Sequence, residues 1–585
     1  MARGRWLAPA LGVLVAAGCA TGPRTVTRLV GDRIVVTRAV SPEAYEHVAR
    51  ALLYEEEERW EDAAAELQRA LPFDEDAAEV RAELAELFLR LGRFDDAAGE
   101  IERSLETAPS VEGYLARAHL ADARHDGAAA LESLRSAAGA ALADENPEAI
   151  ERADLELADA EIGALDLPAA LETLRALERA APETLRGRVQ HAALAWALGA
   201  LDESEAALGG ALEREPADVE ARLLLGELQA ASGNAAAAKT AFLEAVERAD
   251  TPLQIADAIA GWLVQRGDLA EAVELADRTT ANVGDVDSVV LASALERVVK
   301  RPERAAELAE RAAKLGAAPA RVALLRAEAL FAKDDHVGAV KLLLGVPADA
   351  PEYVAARLRA AEVLRDDRKL AEADVALEVA VSRGDATKDR ETAATFAIAR
   401  SLIDEKRGDA VRAARRLDDA LAAAPDDARL VLARAAVDDR RGDWRHALAL
   451  AEKLLAREPR NVEALNFAGF VAADHAQDLP RATRRLQAAV ALSPGSGGIV
   501  DSLGWVYFRA GDLARAATFL EQAGRLEPAD PEILEHLGDL YARRQEGARA
   551  LEAYRRAQTL DPSDQVARDL AERVRTLEAK SAAGR

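Results

Sequence analysis

The chain is nearly devoid of sulfur. Its 585 residues contain one cysteine, Cys19, and one methionine, Met1, so no disulfide can form within a chain and no thiolate cluster can hold a metal. Aromatic residues make up only 4%, a composition of packed helices rather than of sheets. An excess of basic charge is also missing. Lys and Arg number 75 against 103 Asp and Glu, a net charge of −28, which argues against nucleic acid because its phosphates would be repelled. The eight histidines are scattered without HExxH spacing, and there is no P-loop or Gly-rich strand-to-helix turn. Acidic runs such as Glu55-Glu56-Glu57-Glu58 read as solvated helix faces. These absences predict a protein that is not an enzyme and that has no cofactor and no metal.

What is present is a period. Half of the residues are apolar, with alanine foremost. Gly497 to Asp564 divides into two blocks in which Gly504 matches Gly538, Tyr507 matches Tyr541, Ala516 matches Ala550, Ala523 matches Ala557 and Pro528 matches Pro562, each pair 34 residues apart. This spacing resembles the tetratricopeptide repeat (TPR), a pair of helices per repeat. Carried back along the chain, the register predicts an all-α superhelical solenoid of about fifteen helix pairs. They start near residues 44, 78, 111, 151, 185, 219, 253, 286, 320, 354, 394, 428, 462, 497 and 531. Small residues open the second helix of each pair, among them Ala63, Ala97, Ala238, Ala447 and Ala550, and Gly92, Gly199, Gly233, Gly267, Gly442 and Gly511 mark turns within pairs. The period stretches before residue 151 and before residue 394, where longer loops are expected, and slips by one residue near Gln477 to Pro480. Residues 565–585 read as a capping helix and tail that cover the last pair.

The N-terminus has the parts of a secretory signal: basic Arg3 and Arg5, then an apolar run from Leu7 to Ala17 that is too short to span a bilayer. Val15-Ala16-Ala17-Gly18-Cys19 resembles a bacterial lipobox, with Ala16 where Leu is usual. The resemblance implies a signal peptide over residues 1–18, lipidation of Cys19, and, because Ala20 and not Asp follows, an outer-membrane lipoprotein facing the periplasm. Residues 19–43 are then a tether. Within it Arg24 to Val40 is rich in Val, Thr and Ile around Gly31-Asp32 and predicts a short β-hairpin-like segment, which either packs on the first repeat or pairs with a partner's sheet edge. The array is divided into an N-terminal part, 44–393, and a C-terminal part, 394–564. Nearly all the excess acidity lies upstream, since residues 428–585 hold about 24 Lys and Arg against about 23 Asp and Glu.

In a TPR array the fifth, ninth, twelfth and thirteenth positions of each repeat point to the concave side. In the last three repeats these include Asn466 and Phe470, then Asp501, Trp505, Phe508 and Arg509, then Asp539 and Arg543. Asn466 can bond an extended backbone, and Arg509 and Arg543 can take a carboxylate. Trp505 and Phe508 either anchor a peptide or pack between neighbouring repeats. The segments ALNFAGFVAAD (464–474), IVDSLGWVYFRAGD (499–512) and DPEILEHLGDLYARR (530–544) resemble a run shared by large proteobacterial TPR outer-membrane lipoproteins, with Phe470 in place of the usual Tyr. Relatives of that kind are adaptors that hold a periplasmic C-terminal processing protease, a serine protease, and bring peptidoglycan hydrolases to it. The resemblance implies a membrane-anchored adaptor or scaffold with protein or peptide partners. The alternatives are a structural subunit of an envelope machine (gliding motility, type IV pilus or secretin assembly) and a non-catalytic part of polysaccharide export.

Overall fold

Alanine and glycine at the crossing of two helices let their backbones approach, and this pattern sets the architecture. In a computed structural model, which describes residues 25–583 except 31–32, 39–40, 75–76, 282, 383–389 and 561–563, the described residues form thirty-one helices, numbered α1 to α31 in chain order. They make fifteen antiparallel pairs and a final single helix, α31 (Asp564–Ala583). The first helices of the pairs begin at 42, 78, 111, 147, 186, 219, 252, 286, 319, 353, 390, 428, 462, 497 and 531, within four residues of the predicted starts. Ahead of them the backbone pairs Thr25–Val30 (β1) antiparallel to Arg33–Arg38 (β2), with Thr25 opposite Arg38. Cys19 and the signal-like segment lie outside the described residues. The chain divides into two compact units, residues 1–140 and 141–585.

Local chemistry explains many of the helix starts. α1 (Pro42–Glu56) opens on Ser41, whose hydroxyl accepts from the Ala44 amide, with Pro42 at a position that needs no donor. Asp or Asn caps many later helices in the same way, as Asp218 does for α11 (Val219–Ala231) and Asp530 for α29 (Pro531–Arg543). Ala63, Ala97, Ala238, Ala447 and Ala550 are all fully buried at the crossings. At Gly504 the approach is closer still: an added Cβ would lie 2.6 Å from Leu520 of the second helix.

Although the thirteenth pair adds a second, Asp478, the turn inside each pair carries one left-handed residue at a shared place. It is glycine at 92, 199, 233, 267, 408, 442 and 511, but it is Glu58, His125, Leu165, Lys300, Asp334, Arg368, Ala476 and Gln545 elsewhere. Apart from the thirteenth, the turns therefore share this feature although only some announce themselves by glycine. The stretched period before residue 151 is a correction to the sequence reading. The extra residues lengthen helices instead of a loop: α6 (Gly127–Asp144) has 18 residues and α7 (Pro147–Gly163) has 17, separated only by Glu145 and Asn146.

A prediction isolates the turn. Gly442 has φ +86° and no atom within 4 Å of a Cβ placed on it, so Gly442→Ala adds backbone strain and nothing else, costing about 1 kcal/mol. Lys300→Ala, at the same place in another pair, leaves stability within about 0.5 kcal/mol. Equilibrium denaturation with guanidinium checks both.

Candidate functional site

The inward positions of the last three pairs lie on α25 (Val462–Asp474), α27 (Gly497–Arg509) and α29. Trp505 is not an exposed anchor. It is 8% exposed and stacked between two rings, with centroids 4.1 Å from His536 and 4.9 Å from Phe508. Half-buried Phe470 extends the row, 6.2 Å from His536. His536 Nδ1 and Asp501 Oδ2 are 2.6 Å apart, and that pairing, set against burial, leaves the imidazole above its ordinary range. Sequence reasoning passed over His536, because a lone histidine gives no signal until the repeat register sets it opposite Asp501.

The two inward arginines differ. Arg509 donates to Asp474 at 2.7 Å and lies over the Trp505 ring, so its charge is already matched. Arg543 is exposed. Asp539 accepts from the Tyr554 hydroxyl at 2.5 Å and pairs with Arg573 of α31. Asn466 is half-buried. The same arrangement recurs along unit 2, with an acid on one inner helix and a base about one repeat later on the next: Glu328 with Arg359, Glu405 with Arg440, Asp474 with Arg509, Asp501 with His536. Three buried polar atoms in this region have no hydrogen-bond partner: Asn466 Oδ1, Asp501 Oδ1 and Trp505 Nε1. Each such atom costs about 1–3 kcal/mol until something satisfies it.

Open space lies elsewhere on the inner helices. Between α19 (Tyr353–Asp366) and α21 (Arg390–Lys406) is a hollow of about 340 Å³, lined by residues that include Leu358, Ala399, Leu402, Arg359 and Glu362. Leu402 is 38% exposed. No sequence motif marked these residues. Among the described residues there is no cluster of three or more metal-ligating side chains, and no helix is long and apolar enough to cross a membrane.

A second group of inward positions is already filled. Counting from the starts at 151, 185 and 219, the ninth, twelfth and thirteenth positions include Asp159, Gly163, Trp196, Glu227 and Ala231. Trp196 is wholly buried, and its Nε1 donates to Gln522 Oε1 at 2.8 Å, 326 residues away. Arg525 Nη1 donates to the Ala231 carbonyl at 2.8 Å. Arg460 pairs with Asp159 at 2.8 Å. Gly495 closes over Glu227, so that a Cβ on it would overlap the carboxylate. Burial pushes the Glu227 carboxyl up to about 7.

That last shift has a sign. A carboxyl raised in the folded state adds stability below its ordinary pKa near 4.5 and loses it as pH climbs through 7. Glu227→Gln stays neutral, so at pH 8 the variant is the more stable protein by about 2–3 kcal/mol, while at pH 4.5 the two are nearly equal. Chemical denaturation at the two pH values measures the difference.

Comparison with known proteins agrees with the paired helices. The tetratricopeptide-repeat family matches residues 48–112, 189–252 and 502–565. A solved tetratricopeptide repeat protein from Parabacteroides merdae is 17% identical over 44% of this chain and 98% of its own, with a TM-score of 0.36. The Naa15/Naa10 structure bound to HypK-THB is 15% identical over 93% of this chain and 97% of that one, with a TM-score of 0.33. A thermophilic TPR protein from Thermus thermophilus is 24% identical over 32% of this chain and 99% of its own, with a TM-score of 0.29. No curated protein matches the chain in sequence.

Proposed function

We infer that this tetratricopeptide-repeat protein is a scaffold that works by binding other proteins, and that the hollow between α19 and α21 is where a partner's apolar side chain enters. The observation that carries this reading is the contrast along one inner surface. At the last three pairs Trp505, Asp501, Arg509 and Asp539 are engaged by neighbours within the chain. At α19 and α21 Leu358 and Leu402 face a cavity large enough for a leucine or an aromatic ring. Such a hollow, with apolar side chains in its lining, suits one apolar anchor residue of a peptide or helix. Capture of partners by immobilised protein tests the reading. Leu402→Arg fills and charges the hollow from an exposed position, so the fold persists and capture falls at least about tenfold. Capture that survives Leu402→Arg but is lost on Trp505→Ala with Arg509→Ala would move the site to the last three pairs.

The finer reading concerns place and partner. We take the chain to be held at the outer membrane by acyl chains on Cys19, with the array in the periplasm, where it recruits a C-terminal processing protease and the cell-wall hydrolases that protease cleaves. Its support is the sequence: the lone cysteine of 585 residues stands where a lipobox needs it, and residues 464–544 carry the segments shared with such adaptors. Two acyl chains hold a protein to a bilayer stably where one does not. Cys19→Ser is therefore expected to shift the protein from the membrane to the soluble fraction. Retention on membranes would end the lipoprotein reading, and recovery of pilus or motility proteins in place of a protease would end the adaptor reading.

A further inference from the structure

Within unit 2, pairs four to six meet pairs twelve to fourteen. The contact is built mainly from residues on the inner helices of the earlier pairs, α7, α9 (Arg186–Ala197) and α11, with a few from α8 (Leu167–Ala180). Opposite them stand α26 (Leu479–Leu492), α28 (Leu513–Leu526) and the segment around Pro459 and Arg460. An array in which each repeat touches only its neighbours needs no such contact to fold. Here the hydrophobic core runs through it: residues from Val189 to Leu325 and from Ala472 to Leu570 belong to one cluster. The pairs between are packed separately, around Ala320 to Ile403 and around Ala394 to Val437.

We propose that the inner face of pairs four to six is a protein-docking surface that the chain's own pairs twelve to fourteen keep covered, and that this self-contact is a latch that opens as a unit. The proposal rests on the reading that inner faces of this array bind proteins. Four observations support it. The covered residues, Asp159, Gly163, Trp196, Glu227 and Ala231, fall at the positions that line a groove. The occupant supplies groove-binding chemistry: the Gln522 amide oxygen for the indole and two guanidiniums, Arg460 for a carboxylate and Arg525 for a carbonyl. Burial raises the Glu227 carboxyl and the backbone at Gly495 closes against it, so the interface holds a group whose charged form it disfavours. Finally, the segments joining the two faces have their own cores, so small rotations between packed pairs part the faces without unfolding any of them. A competing partner would therefore present a helix pair with an amide and basic side chains. The uncovered surface carries Asp159 and Glu227, and it lies in the acidic part of the chain.

The contact provides its own test. A Cβ added at Gly163 would lie 3.2 Å from the Cβ of Pro459, within a few tenths of an ångström of the roughly 3.5–4.5 Å spacing of a disulfide. In a full-length Cys19→Ser background, Gly163→Cys with Pro459→Cys is expected to oxidise to an intramolecular bond, seen as a faster band on a non-reducing gel and as a linked peptide by mass spectrometry. Arg460 and Arg525 are 44% and 39% exposed at the side chain, so Arg460→Glu with Arg525→Glu changes the latch without disturbing a core. That variant is expected to exchange amide hydrogens in α9 and α11 at least about tenfold faster, to have a larger radius of gyration, and to keep its helical content. Failure of the cysteines to link, or linking only between molecules, overturns the contact. Linking together with unchanged exchange in the reversed-charge variant overturns the latch and makes the contact a permanent part of the fold. None of these readouts depends on capture by the α19–α21 hollow, so the two readings fail separately.

Discussion

Close approach of two helices at a small residue is the constraint on which this protein depends. Gly504 and Gly538 occupy the same repeat position, and at each a Cβ would collide with a large side chain of the second helix, Leu520 in one and Tyr554 in the other. Ala516 and Ala550, fully buried, complete the crossing from the other side. A pair closed in this way has one apolar flank left over, which only the next pair can cover, so the array propagates until α31 ends it. Leu570 of α31 is wholly buried, and Arg573 reaches back to Glu535 and Asp539.

Propagation leaves the inner helices side by side, and their electrostatics follow from that geometry. Residues about one repeat apart become neighbours, so an acid on one inner helix finds a base on the next, as Asp474 finds Arg509 and Asp501 finds His536. In a chain with a net charge of −28, such pairing offsets repulsion along a surface where carboxylates would otherwise face one another. It also removes those side chains from the pool available to a ligand. Charge that lines a groove is recognition surface only where the array has not already neutralised it.

Much of this was legible from residue spacing. The 34-residue period and its alanines placed the helix pairs to within four residues. Glycines revealed some turns but not those at Leu165, Lys300 or Arg368, because the repeat imposes the left-handed conformation and the residue only tolerates it. The inner face of the last pairs was harder. Inward direction at Trp505 is a property of one repeat, whereas its burial comes from His536, a residue of the next. The partner of Trp196, Gln522, was not legible at all, since nothing in a 34-residue period tells which pairs meet 326 residues apart.

That distance explains how local and global order relate here. Pair-to-pair contacts determine a small rotation, and successive rotations decide where the chain returns on itself. Pairs four to six and twelve to fourteen are about eight pairs apart, so a change of a few degrees at each junction separates the two faces entirely. The buried indole of Trp196 and its bond to Gln522 therefore report on the summed curvature of every pair between them. Conversely, any ligand that wedges into the hollow between α19 and α21 acts on a junction inside that arc. The angle at which neighbouring repeats pack therefore enters both the shape of that hollow and the closure at Trp196.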